Sequence, residues 1–261
     1  MNNNDLILIT NDDGYNSKGI IVLKQIAKSL SDQVWTFAPS SNNSGKSHSI
    51  TINKKIKIKC LGNKTFKVEG TPVDCVIAGN KYLSIKKLKP NLILSGINFG
   101  QNLGLDILYS GTFAAAREGS LHGVQSFSIS LEKNKKPSNW NTVKFFLPVI
   151  LQQIRNLKIK ENVCYNINFP NTKISKVRGC KVVKSGKRKP GELLEFSIVN
   201  KKSSYIKIPS ERKVHSTAVS NEDEYEMKKK FITITYHSNL SFHESKIYKE
   251  LSDSIGKIIE K

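Results

Sequence analysis

The sequence predicts an α/β protein: a mostly parallel sheet with helices on both faces, and a smaller β-containing part toward the C-terminus. Three observations carry this. Runs of branched apolar residues without polar alternation, such as Leu6-Ile7-Leu8-Ile9 and Leu92-Ile93-Leu94, have the pattern of strands buried on both faces. Segments with apolar residues at helical spacing lie between those runs. Glycine and proline punctuate the joins. Repeated βα units then place helices on both faces of the sheet.

Taken in order, Leu6 to Ile9 is the first strand, and Gly14 permits a sharp turn after it. Ile20, Leu23, Ile26, Ala27 and Leu30 share one side of a helix over 20–30. Gln33 to Ala38 is a strand stopped by Pro39, followed by a polar loop over Ser40 to Ser47. Ile50 to Val68 reads as a β excursion in which Ile56, Lys57, Ile58 and Lys59 alternate. Thr71 is an N-cap and Pro72 a first helical residue. Asn91 to Ser95 is a strand entering a glycine-rich loop from Gly96 to Gly104. Ser110-Gly111-Thr112 opens an alanine-rich helix over Phe113 to Leu121, and Ser126 to Leu131 is the next strand.

Beyond this point the pattern changes. Trp140 to Ile154 is helical, and β-like pieces follow at Val163 to Phe169, Lys181 to Lys184, Leu193 to Val199 and Phe231 to Tyr236. Ser185 to Gly191 and Ser210 to Lys230 read as charged loops, and Ser245 to Ile259 as a last helix. The chain is therefore expected to divide into residues 1–135, carrying the candidate site, and residues 136–261. The second part completes the core and adds a β-rich C-terminal segment, either as a second unit or as one continuous domain.

With 261 residues and 38% hydrophobic content, the chain is long enough for a large core. No apolar stretch is long enough to span a bilayer, and the start Met1-Asn2-Asn3-Asn4-Asp5 lacks the regions of a signal peptide. A soluble, cytoplasmic protein is expected. Cys60, Cys75, Cys164 and Cys180 are scattered and match no zinc template. The formal charge is +21, from 42 Lys plus Arg against 21 Asp plus Glu, and a basic field attracts polyanions. Lysine outnumbers arginine, and asparagine and isoleucine are plentiful, so an AT-rich genome produces the same charge without selection for binding.

Three loops fall at the carboxyl edge of the predicted sheet, where ligands of open α/β sheets bind: Asn11 to Gly14, Ser40 to Ser47, and Gly96 to Gly111. Asp12 and Asp13 supply two adjacent carboxylates. They form either half of a divalent-cation site or a polar turn in which Asp13 caps the next helix. The oxygen donors on these loops suit magnesium, manganese or calcium rather than zinc. Ser110-Gly111-Thr112 opens a helix, and a helix N-terminus offers free N–H groups and partial positive charge to an anion. Its plainer role is a helix cap. Ser44-Gly45-Lys46-Ser47 contains the tail of a P-loop, but position 40 holds serine where glycine is required, and the segment leads into β-like sequence. The Asp12-Asp13 pair also fails the Asp-x-Asp pattern of phosphatases that form an aspartyl phosphate.

Taken together, these motifs resemble the SurE family of metal-dependent phosphatases that act as nucleotidases. The matching stretches are Thr-Asn-Asp-Asp-Gly at 10–14, Ala-Pro at 38–39 with Ser-Gly at 44–45, and Gly-Thr-Pro-Val-Asp-Cys-Val at 70–76. Ser-Gly-Ile-Asn at 95–98, Tyr-Ser-Gly-Thr at 109–112, Ala114-Ala115-Ala116 and Glu118-Gly119 complete the set, in family order across the first half. The resemblance implies a Rossmann-like fold. It implies one divalent cation per subunit, Mg2+ or Mn2+, held by Asp12, Asp13, Ser44 and Asn98. It also implies phosphate contacts from Asn98, Ser110, Gly111 and Thr112. Dimers or tetramers are implied, with a C-terminal segment exchanged between subunits. Two departures stand out. Ser40 and Ser41 occupy positions that are commonly charged, and the acidic residue preceding the strand at Thr233-Ile234-Thr235-Tyr236-His237 has no clear match, so Glu222 to Glu226 reads as an altered loop.

The expected reaction is hydrolysis of a nucleoside monophosphate by a metal-activated water, with Asp12 or Asp13 also able to take a proton. Short-chain polyphosphate is a further candidate substrate. Lys46 and His48 are candidate substrate contacts, whereas His122, near a helix end, reads as structural. The competing class is a non-catalytic nucleic-acid or polyphosphate binding protein, which the charge suggests. The aromatic residues, however, lie mostly in core segments rather than interleaved with basic ones. A specific nucleic-acid partner is therefore not expected, nor is a membrane.

Overall fold

The computed structural model describes residues 5–134, 136–157, 163–188, 195–200, 203–207 and 218–238. The first half of the chain runs β1 (Ile7–Thr10), α1 (Lys18–Leu30), β2 (Val34–Pro39), β3 (Ile58–Cys60), β4 (Thr65–Val68), α2 (Pro72–Ile85), β5 (Leu92–Phe99), a 3-10 turn (Gly104–Leu108), α3 (Gly111–Leu121) and β6 (Gln125–Leu131). The second half runs α4 (Trp140–Asn156), β7 (Val163–Phe169), a short 3-10 turn (Ile174–Lys176), β8 (Gly179–Val182), β9 (Glu195–Asn200), β10 (Ser203–Lys207), α5 (Asp223–Lys228) and β11 (Phe231–Ser238). Among the described residues, nine strands form one sheet in the order β3-β4-β2-β1-β5-β6-β7-β11-β8, and β9 and β10 form a separate hairpin. The central strands from β4 to β7 are parallel, as the alternating βα pattern predicts. β3 and β11 join antiparallel to β4 and β7. The sheet is continuous across position 135, because β6 pairs with β7.

Alternation along each strand divides the core into two layers. Ile7 and Ile9 of β1 pack with Ile20, Leu23 and Ile26 of α1 and with Leu147 and Leu151 of α4. Leu8, between them, faces the other way into a cluster with Phe37, Phe66, Val76 and Leu83, the last two from α2, and with Ala115 of α3. Close approach is specified locally. At Gly19 of α1, a Cβ would lie 1.9 Å from the Ile97 carbonyl oxygen, so only glycine allows the helix to seat on β5.

The sequence misjudges several elements. β5 does not stop at Ser95 but continues to Phe99. Gly96 makes this possible with φ of +137° and no side chain at a point where a Cβ would meet the Ile129 carbonyl at 2.4 Å. Of the β excursion over 50–68, only β3 and β4 are strands. The charged stretch before β11 contains α5, not only loop. The helix expected over 245–259 lies outside the described residues. Among the described residues no helix is long and apolar enough to cross a membrane.

Candidate active site

The Asp12-Asp13 turn follows β1 directly, and its shape is set by Asn11. The Asn11 side-chain amide donates to the Gly14 carbonyl at 2.9 Å and to the Ser17 hydroxyl at 2.8 Å. Ser17, not Asp13, is the N-cap of α1, its hydroxyl accepting from the Ile20 N–H. This removes the capping reading of Asp13 and leaves both carboxylates without a role in the helix. Asp12 is buried, and its Oδ1 accepts a hydrogen bond from the Thr112 hydroxyl at 2.6 Å. Asp13 is half-buried and accepts from the Phe99 backbone N–H at the end of β5. Burial holds the Asp12 carboxyl above its usual range. Burial, and then the neighbouring charge of Asp12, push Asp13 up to about 6. Among the described residues, no lysine, arginine or histidine forms an ion pair with either carboxylate.

The other candidate residues surround this pair. Ser110 caps α3, its hydroxyl accepting from the Phe113 N–H at 3.0 Å. Thr112 is not a cap; its hydroxyl is committed to Asp12. Gly111 packs so closely that a Cβ there would sit 3.0 Å from the Asp12 Cβ and 3.0 Å from the Pro72 Cγ. The start of α3 is therefore joined to the carboxylate turn. Asn98 is half-buried and commits its Nδ2 to the Gly100 carbonyl at 2.6 Å, which leaves Oδ1 as the atom able to ligate. Ser44 is exposed on the loop after β2, and that loop is tied to the turn by the Asn43 N–H, which donates to the Asp12 carbonyl at 2.7 Å.

Sequence reasoning missed how firmly the Ser44 loop is anchored. The Ser47 N–H and hydroxyl donate to the carbonyls of Tyr109 and Leu108 at 3.2 and 2.6 Å. His48, a candidate substrate contact, is 2.9 Å from Glu118 of α3. The Thr71 hydroxyl donates to the Ser49 carbonyl at 2.7 Å. Asp74 completes the capping box of α2 by accepting from the Thr71 N–H, and it also accepts from the Thr51 N–H and hydroxyl at 2.9 and 2.6 Å. The Gly-Thr-Pro-Val-Asp stretch thus starts a helix and fastens the far end of the loop. Lys46 stays exposed.

A model of the family described as Survival protein SurE matches residues 7–192. The chain belongs to the SurE family. Relatives named 5'-nucleotidase SurE include those of Nitrobacter winogradskyi, 43% identical over 190 residues, and Rhodopseudomonas palustris, 41% identical over 190 residues. Each match spans 72% of this chain and 74% of the relative. The crystal structure of the SurE protein from Aquifex aeolicus superposes with a TM-score of 0.81 at 30% identity, over 96% of this chain and 99% of that one.

Membership in the SurE family gives the carboxylate pair's electrostatics a testable consequence. The folded state of the metal-free protein binds a proton at Asp13 more tightly than the unfolded chain does. Stability linked to this group is therefore greatest at low pH and falls as pH rises through about 6. In EDTA, Asp13→Asn is expected to raise Tm at pH 7 relative to the parent and to leave Tm little changed near pH 4. Thermal melts across that range check it, and a constant offset between the two proteins would refute it.

Proposed function

We propose that the protein is a divalent-cation-dependent 5'-nucleotidase that hydrolyses nucleoside monophosphates to a nucleoside and inorganic phosphate. The observation that carries this is the hydrogen bond from Thr112 to Asp12, because it joins a carboxylate pair to a helix N-terminus. The donor set fits a hard cation: two buried or half-buried carboxylates with no protein cation beside them, a serine hydroxyl and an amide oxygen. Asp12, Asp13, Ser44 and Asn98 would hold Mg2+ or Mn2+. When bound, such an ion supplies charge that offsets the phosphate oxygens and makes an attacking water more acidic.

The chain's own groups do the rest. The N–H of Gly111 receives a phosphate oxygen, with the Ser110 turn and the Asn98 amide beside it, while the Thr112 N–H is taken by the Asp12 carboxylate. These donors are fixed before the substrate arrives, so they stabilise developing charge without reorganising. Thr112 and the Phe99 N–H hold the two carboxylates in place. Asp13, the more solvent-reachable carboxylate, takes a proton from the water as its oxygen bonds to phosphorus; the ester P–O bond breaks, and the departing nucleoside oxygen takes a proton from solvent. Short-chain polyphosphate presents the same terminal phosphate to this cradle. The relatives' name supports the nucleotide as substrate. Assembly into dimers or tetramers is part of the same reading. It is supported by the β9–β10 hairpin, which exposes Phe196, Ile198, Tyr205 and Ile206.

Phosphate release from a nucleoside 5'-monophosphate is expected to stop after exhaustive EDTA treatment and to return with added Mn2+. Release that persists without metal would sink the cation site. Nucleotide or polyphosphate binding without release, collapsing with salt, would favour a non-catalytic polyanion binder instead.

A further inference from the structure

Outside the carboxylate turn, the described residues contain one cluster of imidazole and carboxylate groups that the reaction does not use. Glu118 lies on α3 with its carboxylate between two histidines. Its Oε2 is 2.9 Å from His48 Nε2, and its Oε1 is 3.1 Å from His122 Nε2. The carboxylate is mostly shielded, with 13% of the side chain exposed, whereas His48 is exposed by a third. The two contacts differ in reach. His122 follows Glu118 by one helical turn and fixes the carboxylate from within α3. His48 is 70 residues away in sequence, on the loop that carries Ser44.

We infer that Glu118 and His48 are a positioning pair that sets the Ser44 loop against α3, so that one helix aligns the cation and phosphate halves of the site. This rests on the proposed cation site above. The same helix that receives phosphate at Ser110 to Thr112 anchors the metal-binding loop eight residues later, about 12 Å along its axis. A rigid helix fixes that spacing. The loop's other fastenings hold it at different points: Asn43 on the carboxylate turn, Ser47 on the 108–109 carbonyls, and Ser49 and Thr51 on the start of α2. The hydrogen bonds of Ser47 constrain the near side of Gly45, which has φ of +73° and an open surround. Among the described residues, His48 supplies the only side-chain link between this loop and the body of α3. Glu118 touches neither cation nor phosphate. Its effect passes through His48 to Ser44, in the way outer partners orient metal ligands.

The test measures Mn2+ binding by calorimetry on the full chain without substrate, beside steady-state kinetics. His48→Ala and Glu118→Ala are expected to weaken Mn2+ binding about tenfold, the lower end of the loss seen when an outer partner of a metal site is removed. At saturating Mn2+, kcat should fall by a smaller factor. His48→Gln, whose amide can still donate to Glu118, is expected to recover most of the affinity. His122→Ala, which leaves the loop contact in place, should stay within about twofold of the parent. Unchanged Mn2+ affinity in folded His48→Ala overturns the inference, as does equal weakening in His48→Ala and His48→Gln. A parent protein that binds no Mn2+ overturns the cation site itself, and this pair's role with it.

Discussion

Asp12→Asn is expected to reduce phosphate release by at least about 10^2- to 10^3-fold, the scale on which losing one preorganised electrostatic partner lowers kcat. Its far-UV circular dichroism and Tm should match or exceed those of the parent. The separation of the two effects follows from the geometry. Asp12 is only 3% exposed; its carboxylate takes backbone N–H bonds from Thr112 and from its own residue, and its Oδ1 accepts one bond from the Thr112 hydroxyl. An asparagine keeps an oxygen at Oδ1 for that bond and fits the same volume. What it loses is the negative charge, which burial disfavours in the metal-free fold. The charge therefore opposes folding, and on the proposed function it serves the cation. Thr112→Val is the companion experiment. It removes the hydroxyl, leaves Asp12 charged, and should lower kcat less than Asp12→Asn does. Activity of Asp12→Asn within tenfold of the parent, measured at saturating Mn2+, would exclude this carboxylate from the cation site.

The parts of the fold that were legible are those specified by nearby residues. Thr71-Pro72 with Asp74 is a complete helix start within four positions, and the structure contains it as a capping box. Ser110 is an N-cap for the same reason. The branched apolar run at Leu6 to Ile9 is a strand because helices bury both of its faces, α1 and α4 on one side and α2 and α3 on the other. By contrast, β5 was cut short because Gly96 looks like a terminator in sequence. Its actual role depends on the Ile129 carbonyl of the neighbouring strand, a contact no local pattern encodes. The resemblance named Asp12, Asp13, Ser44 and Asn98 as an expected ligand set, but not the fastenings of the loops that carry them. His48 pairs with Glu118 across 70 positions, and Thr51 pairs with Asp74 across 23. Such partners belong to the packed fold, and the residue types alone are compatible with solvent-facing roles. The capping reading of Asp13 was removed in the same way, by finding Ser17 at the position of the cap.

Asp223→Ala is expected to lower stability by about 2–5 kcal/mol, because it leaves three buried backbone donors without an acceptor at about 1–3 kcal/mol each, offset in part by removing a carboxylate whose charge burial disfavours. For a chain of this size that corresponds to a fall in Tm of roughly 5–15 °C. Asp223 sits at the start of α5 in the charged stretch that reads as a loop, yet it is fully buried. Its Oδ2 accepts from the Gly104 N–H at 2.8 Å, and its Oδ1 accepts from the Gly186 N–H at 3.0 Å and the Glu224 N–H at 2.8 Å. Gly104 opens the 3-10 turn that leads into Tyr109 and Ser110, and the Leu105 N–H donates to the Arg188 carbonyl at 2.9 Å. Arg188 also ion-pairs with Asp106 at 2.8 Å. One carboxylate from the second half of the chain thus fixes the approach to the proposed phosphate cradle at Ser110 to Thr112 in the first half. Removing it should lower kcat/KM in the fraction that stays folded, through the position of Ser110 to Thr112. Asp223→Asn separates the contributions. It keeps one acceptor oxygen but turns an NH2 group toward one of the backbone N–H groups, so its loss should lie between those of the parent and the alanine variant. Thermal melts with matched kinetics at a temperature where both variants are folded read the two effects. A Tm for Asp223→Ala within 2 °C of the parent, about what 1 kcal/mol produces, would show that Gly104 and Gly186 do not depend on this carboxylate.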